Sequence, residues 1–213
     1  KADARTAMIE TVARVEEGVA RIDAAQWDAC AGDGNPFLSH AFLSALEESG
    51  SVGKGSGWQP LPILIDGDDG QLAGAMPAYA KSHSQGEYVF DHAWADAFHL
   101  AGGDYYPKLQ IAVPFTPVPG PRLLLRDAAA APHLIAAAES LVRQNGLSSA
   151  HATFVEEAQL DAFRDAGWAI RTGSQFHFAN PGYGHFDDFL GELASRKRRA
   201  IRKERAAAVA GLE

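Results

Sequence analysis

Four prolines crowd one short stretch of the chain: Pro114, Pro117, Pro119 and Pro121. Each lacks a backbone N–H and fixes its own φ, so neither a helix nor a central strand can run through them. The fold must therefore be assembled from elements on either side of this break.

On the N-terminal side, residues 6–15 mix β-branched and polar side chains and read as a strand. Residues 24–31 form a short helix, ended by Gly32-Asp33-Gly34-Asn35-Pro36. Ser39 caps the next helix, whose apolar face carries Phe42, Leu43 and Leu46. A Gly- and Ser-rich loop over residues 50–57 leads into a hairpin of residues 58–66 and 71–81, turned at Gly67-Asp68-Asp69-Gly70. A helix is expected from near Asp91 within residues 89–100, and a short strand within 105–113.

Beyond the prolines, residues 131–145 give the clearest helix, with Leu134, Ala137, Ala138, Leu141 and Val142 on one stripe and Gly146 as its stop. A strand at 150–155, a helix at 157–166 closed by Gly167, and short strands at 169–172 and 175–179 follow. Helices at 186–193 and 195–209 complete the order. Strands and helices interleave, so the fold class is α/β (α+β) with one mixed central sheet.

A chain of 213 residues can bury a core without disulfides or metals. The single cysteine, Cys30, excludes an internal disulfide and any zinc site built on two thiolates, and reads as packing. No run approaches the roughly 20 apolar residues of a membrane span. Residues 1–6 show no signal-peptide core and no initiator Met, which reads as a trimmed or partly disordered start of a cytoplasmic protein.

Charge is unevenly placed. The net charge is -8, yet residues 196–205 carry Arg196, Lys197, Arg198, Arg199, Arg202, Lys203 and Arg205 against Glu204 alone. An acidic body with one basic helix excludes a duplex-DNA binder, which needs a broader basic face, and fits one localised anion contact. Arg198 and Arg202 are four apart on one helix face, as are Arg199 and Lys203, and guanidinium forks suit phosphate. A solvated helix salt-bridged to the acidic body is the alternative.

The segment from Asp91 to Arg122 gathers aromatic rings, prolines and two cations with little helical or strand period: Asp91, Trp94, Tyr105, Tyr106, Lys108, Phe115, Thr116 and Arg122. Prolines hold a loop in one shape at low entropic cost, and rings beside cations can wall a pocket for an anionic or amide-rich ligand. The same residues can instead form a rigid loop whose aromatics fill the core. His92, Asp96 and His99 share a helix face but lack a further ligand, so no metal site is expected. His177, flanked by Phe176 and Phe178, reads as a core histidine, and His40 as a residue shaping the pocket. No Ser-His-Asp or Cys-His arrangement can be argued from spacing.

Four ordered blocks carry a resemblance: NPFLSHAFLSALEESGSVGKGSGWQPLPILI, FDHAWADAF, YYPKLQIAVPFTPVPGPRLLL and FHFANPGYGHFDDFLGELASRKRRAIRKER. Together they resemble the FemAB-like bacterial proteins, a peptidoglycan biosynthesis and recognition family of the GNAT-type acyltransferase superfamily. The resemblance implies a GNAT-like domain over residues 1–194, with residues 195–213 as a basic interdomain helix leading to a second GNAT-like domain of the same chain. It implies an N-acyl or aminoacyl transferase acting on a small-molecule or peptide amine acceptor linked to cell-wall precursors, with acyl-CoA or aminoacyl-tRNA as donor in the full chain. The alternative is a non-catalytic module that recognises a peptide or nucleotide-sugar. tRNA binding through the basic helix is set against the acidic remainder.

Two departures from the family pattern bear on these expectations. Acyl-CoA-binding GNAT domains carry a Gln/Arg-x-x-Gly-x-Gly/Ala loop before a helix, whose N–H groups hold the pyrophosphate. The stretch before the 131–145 helix reads Thr116-Pro117-Val118-Pro119-Gly120-Pro121-Arg122, so no cofactor is expected in this half. The partial match around Gly74 lies in a hairpin strand, where a packing glycine is expected. Arg198-Arg199-Ala200-Ile201-Arg202-Lys203 fits the start of the Arg-x-x-Ile-Arg-Lys helix of Fem transferases, but Glu204 replaces a small residue and Gly211 falls one turn late.

Overall fold

The computed structural model describes residues 12–89 and 91–211. The chain forms two compact units, Lys1–Ile170 and Arg171–Glu213. The expected strand over residues 6–15 lies partly outside the described residues, and its visible part is β1, Ala13–Val15.

The first unit is organised by the hairpin. Its strands are β2 (Trp58–Pro60) and β3 (Ile63–Asp66) on one arm, β4 (Leu72–Met76) and β5 (Ala78–Lys81) on the other. Trp58 pairs with Lys81, Pro60 with Tyr79, Ile63 with Met76 and Ile65 with Gly74, one register that shifts only between Ile65 and Asp66. Pro62 and Pro77 therefore fall opposite each other at the point where the ladder stops. Neither can donate, so the arms bend there and one expected sheet becomes two. The Leu61 N–H to Ala78 C=O bond, 2.8 Å, still ties the arms together at the bend. Bonds from Gly67 N–H to the Gln71 carbonyl (2.8 Å) and from Gly70 N–H to the Gly67 carbonyl (3.0 Å) close the turn, with Gly70 at φ 74.

The first sheet runs β1-β3-β4-β7, with β7 being Leu124–Leu125, all antiparallel. The second runs β2-β5-β6-β8, with β6 at Lys108–Ile111 and β8 at Ala150–Ala152, and its β6–β8 pair is parallel. The molecule is thus mixed α/β, with two four-stranded sheets where composition and pattern suggested one.

Alternation decides which face meets which helix. Ile63, Ile65, Met76, Ala78, Leu109 and Ile111 form one core with Leu134, Ile135 and Ala138 of α4 (Ala131–Gln144). A Cβ on Gly74 would stand 2.9 Å from the Ala130 Cβ and 3.1 Å from Leu134, so a glycine is what lets the helix approach the sheet. Leu64, Leu72, Ala75 and Leu124 instead pack with Trp27 and Cys30 of α1 (Ala24–Ala31) and with Leu43 of α2 (His40–Glu48). Asp23 and Ser39 cap these helices by accepting from the Gln26 and Phe42 N–H groups. His40 belongs to this scaffold: its Nε2 lies 3.0 Å from the Ile22 carbonyl, and its N–H donates to Asp28. Helix α3 (His92–Leu100) buries none of its residues, and α5 (Leu160–Asp165) buries Phe163.

In the second unit, α6 (Phe186–Glu192) and α7 (Ser195–Val209) form as expected. Rings of Phe178, Tyr183 and Phe186 surround Phe189 at centroid distances of 5.6, 6.0 and 5.6 Å. The strands expected at 169–172 and 175–179 do not form. Alternating aromatics favour extended backbone, but a strand needs a partner edge, and among the described residues none pairs with this segment. His177 is accordingly exposed rather than a core histidine, its Nε2 3.2 Å from Gln175 Oε1.

Candidate functional site

The second sheet has two unlike faces. Ala78, Leu109 and Ile111 point to the apolar core, whereas alternate positions carry Tyr79 and Lys81 on β5 and Lys108 and Gln110 on β6. Register places Trp58, Lys81 and Lys108 in one row and Pro60, Tyr79, Gln110 and His151 in the next. A polar sheet face normally meets water. Here Lys81, Lys108 and Gln110 are fully buried.

The chain following β5 covers this face. Gly86, at φ 81, lies so close to Phe115 that a Cβ would approach its ring to 2.6 Å, and the Phe115 N–H donates to the Gly86 carbonyl. Lys81 Nζ and Trp58 Nε1 both donate to the Gln85 carbonyl, at 2.9 and 3.1 Å, and the ammonium stands 3.7 Å from the Trp58 ring centroid. Burial lowers the Lys81 pKa to about 8, with Glu87 opposing and Lys108 reinforcing the shift.

Lys108 is the centre of the site. Its Nζ donates to Glu87 Oε2 at 2.9 Å and to Asp91 Oδ2 at 2.7 Å. The Tyr105 hydroxyl donates to the same Asp91 oxygen at 2.8 Å. Tyr105 and Tyr106 pack edge to face, 5.0 Å apart, with the ammonium 5.3 and 5.8 Å from their centroids. Ser84 and the Tyr106 hydroxyl share a hydrogen bond.

The two carboxylates respond differently to one lysine. Burial raises the Glu87 pKa despite Lys108. Burial acts upward on Asp91 too, but its polar neighbours, Lys108 foremost, outweigh it and hold that group below the usual range. Burial, then Lys108, takes His151 down to about 4, so it is neutral near pH 7. Its Nε2 lies 2.9 Å from the Ser149 hydroxyl. Among the described residues, Glu87 Oε1, Asp91 Oδ1 and Gln110 Oε1 are buried without a hydrogen-bond partner.

Asp91, Tyr105, Tyr106 and Lys108 thus come together. Phe115 lies near them, tilted on Trp58 at 5.6 Å. Trp94 stands exposed on α3, as do His92, Asp96 and His99. Thr116 is buried and donates to the Pro114 carbonyl. Arg122 is buried outright, its guanidinium donating to the carbonyls of Thr153 (2.8 Å), Val118 (3.0 Å) and Pro121 (3.1 Å).

The proline segment is separate from α4: β7 and a 3-10 turn, Ala128–Ala130, lie between them, and Asp127 caps that turn. Two of its N–H groups are engaged within the protein, Gly120 on the Phe154 carbonyl and Arg122 on Gln159 Oε1. Pro119 and Pro121 line an open concavity of about 410 Å³ with Asn35, Phe37 and Glu156, sharing no residue with the lysine cluster.

Sequence reasoning missed Glu87, Lys81, Gln110 and His151. The available signal was alternation in Ala78-Tyr79-Ala80-Lys81 and Lys108-Leu109-Gln110-Ile111. It reads as a half-solvated sheet until the covering chain is seen.

On α7, Arg202 pairs with Asp187 at 3.0 Å and Arg205 lies 4.2 Å from the Phe186 centroid. Arg199 reaches back to the Ser195 carbonyl, Arg198 is half-buried, and Lys203 is exposed.

None of the curated proteins matches the chain. Among solved structures, an acetyltransferase from Trypanosoma brucei aligns with 80% of this chain and 100% of its own at 11% identity and a TM-score of 0.40, too loose a likeness to bear on fold or activity. A family model is more informative. The FemAB-like model, described as peptidoglycan biosynthesis/recognition, matches residues 18–213, from before α1 through the basic helix. The span takes in both the buried lysine cluster and α7, and on that match the chain belongs to the FemAB-like family.

Proposed function

We propose that this chain is the acceptor-binding part of an N-acyl or aminoacyl transferase of FemAB type, its acceptor an amine linked to a cell-wall precursor. The reading rests on one observation: Glu87, Asp91, Tyr105 and Tyr106 gather around Lys108, which stands on the polar face of the second sheet. Acyl transfer to an amine needs positioning and a route for a proton, and this face offers hydroxyls, carboxylates and a neutral imidazole. Arg198, Arg199, Arg202 and Lys203 would take the phosphates of a nucleotide-linked precursor. GNAT-like domain limits of 1–194 and 195–213, with a second such domain beyond, belong to the same proposal, as does a cytoplasmic location.

A second reading, a binding module without chemistry of its own, is favoured by the proline segment. A coenzyme pyrophosphate needs free N–H groups, and those of Gly120 and Arg122 are already engaged. The residues present do not fit that cradle.

One experiment tests both. The chain is titrated with acetyl-CoA and with a nucleotide-linked muropeptide, and the muropeptide is then weighed after incubation with acyl donors. Muropeptide binding without CoA binding is expected. A mass gain supports transfer, binding without gain supports recognition alone, and no muropeptide binding defeats both. CoA binding would overturn the reading of the proline segment.

A further inference from the structure

Strands β5 and β6 pair directly, Lys81 against Lys108, yet residues 82–107 run between them. Antiparallel neighbours need only about two to five connecting residues, and a much longer link is typically a binding loop or a lid. The two parts of this link are held unequally. Residues 82–86 are stitched down. The Ser82 N–H donates to the Gly57 carbonyl, His83 Nε2 lies 3.1 Å from the Ser56 carbonyl, and the Gln85 and Gly86 carbonyls accept from Lys81, Trp58 and Phe115. Helix α3 and its return, residues 92–104, have no such ties. Among the described residues, no side chain of this stretch makes a hydrogen bond or ion pair, and Trp94 and Leu100 stand 63% and 87% exposed. A helix this short with no buried face gains little stability from packing.

What holds this stretch is its base. It leaves from Asp91 and returns at Tyr105, and Asp91 Oδ2 takes both the Tyr105 hydroxyl at 2.8 Å and Lys108 Nζ at 2.7 Å. Burial falls outward from buried Lys108 through half-buried Tyr105 to exposed Phe98, whose ring lies 6.1 Å from that of Tyr105. Among the described residues Asp91 Oδ1 is buried without a donor, so parting the base hydrates one oxygen while it breaks two bonds at the other. We infer that residues 92–104 are a lid, latched at Asp91, whose release uncovers Lys108 without unfolding the rest of the first unit. Its role as a gate rests on the polar sheet face being the ligand site. That face is buried under the shut lid, so a ligand reaches it only through the open form, and its apparent affinity is reduced by the fraction that is open.

Acetylation of the unaltered chain by N-hydroxysuccinimidyl acetate, read lysine by lysine with mass spectrometry, tests this, with Lys54 as the exposed standard. Below the unfolding transition, Lys108 should be acetylated at a rate nearly independent of urea. Lys81, under the stitched part, should be acetylated only as the whole chain unfolds, with the full urea dependence. The same steep dependence for both lysines overturns the inference without needing a variant that folds. Tyr105→Phe keeps both charges of the latch and removes one hydrogen bond to a carboxylate. It should speed Lys108 by about tenfold and leave Lys81 unchanged. Unchanged Lys108 reactivity in that variant overturns the latch. A saturating nucleotide-linked muropeptide should slow Lys108. Local opening that bound muropeptide leaves untouched keeps the lid and removes the polar face as the ligand site, whereas muropeptide binding to a chain with no local opening removes the lid alone.

Discussion

Cations occupy the two units in opposite ways. In the first, Lys81, Lys108 and Arg122 are fully buried, each held by a different chemistry: an aromatic face and a carbonyl, a pair of carboxylates, and a set of carbonyls. In the second, α7 carries its basic residues outward, with one ion pair to Asp187 and one ring contact to Phe186. A buried charge must find fixed partners, because removal from water costs several kcal/mol. An exposed one keeps its hydration, and its partners add little. The helix that dominates the charge pattern should thus matter least to stability, and the cluster that leaves no mark on it should matter most.

Lys108 offers the sharpest way to break that contrast. Replacing it by Met keeps the stem and strands two buried carboxylates. The expected loss is about 3–5 kcal/mol of unfolding free energy, measured with denaturant at pH 7. A loss below about 1 kcal/mol would mean that the carboxylates are neutral or solvated without it, and the cluster would cease to be a built site.

Lys81 should behave in the opposite sense. Its folded pKa of about 8 lies below its ordinary 10.5, so the unfolded chain binds more protons between those values. Stability of the unaltered protein should therefore rise as pH climbs from 8 towards 10.5. In Lys81→Met the buried cation is gone, that rise should vanish, and the midpoint at pH 7 should equal or exceed that of the unaltered chain. A variant that loses stability at pH 7 would place Lys81 with Lys108 as a structural ion.

The same contrast explains what could be read in advance. The hairpin was legible because Gly67-Asp68-Asp69-Gly70 marks a turn and both arms alternate, and α7 was legible from its helical run of good helix formers. The division into two sheets was not, although both prolines were visible, because only the register sets Pro62 against Pro77. The strands expected at 169–172 and 175–179 failed for a related reason: propensity is local, pairing is not. At the site, Asp91, Tyr105, Tyr106 and Lys108 stood out as a cluster of unusual types, and they do meet. Glu87 did not stand out, since one acid in Gln85-Gly86-Glu87-Tyr88 looks like any loop residue until a lysine from another strand lies 2.9 Å away. Arg122 stood out as a ligand cation, yet a guanidinium that ties three carbonyls has few donors left to offer.

The smallest expected effect on stability, and the largest on ligand, belongs to α7. Arg198→Ala with Arg202→Ala removes one exposed ion pair and one half-buried stem, so the unfolding free energy should move by no more than about 1 kcal/mol. Helix propensity argues the same way, because Ala is the best helix former. Affinity for inorganic pyrophosphate should nevertheless be abolished. In the unaltered chain that affinity should fall steeply with added salt, as exposed charges are screened within about 10 Å at 0.1 M. An altered chain that is equally stable but binds pyrophosphate unchanged would leave the basic helix a solvated surface. A large loss of stability would show that its arginines are structural after all, and would erase the distinction between the two units.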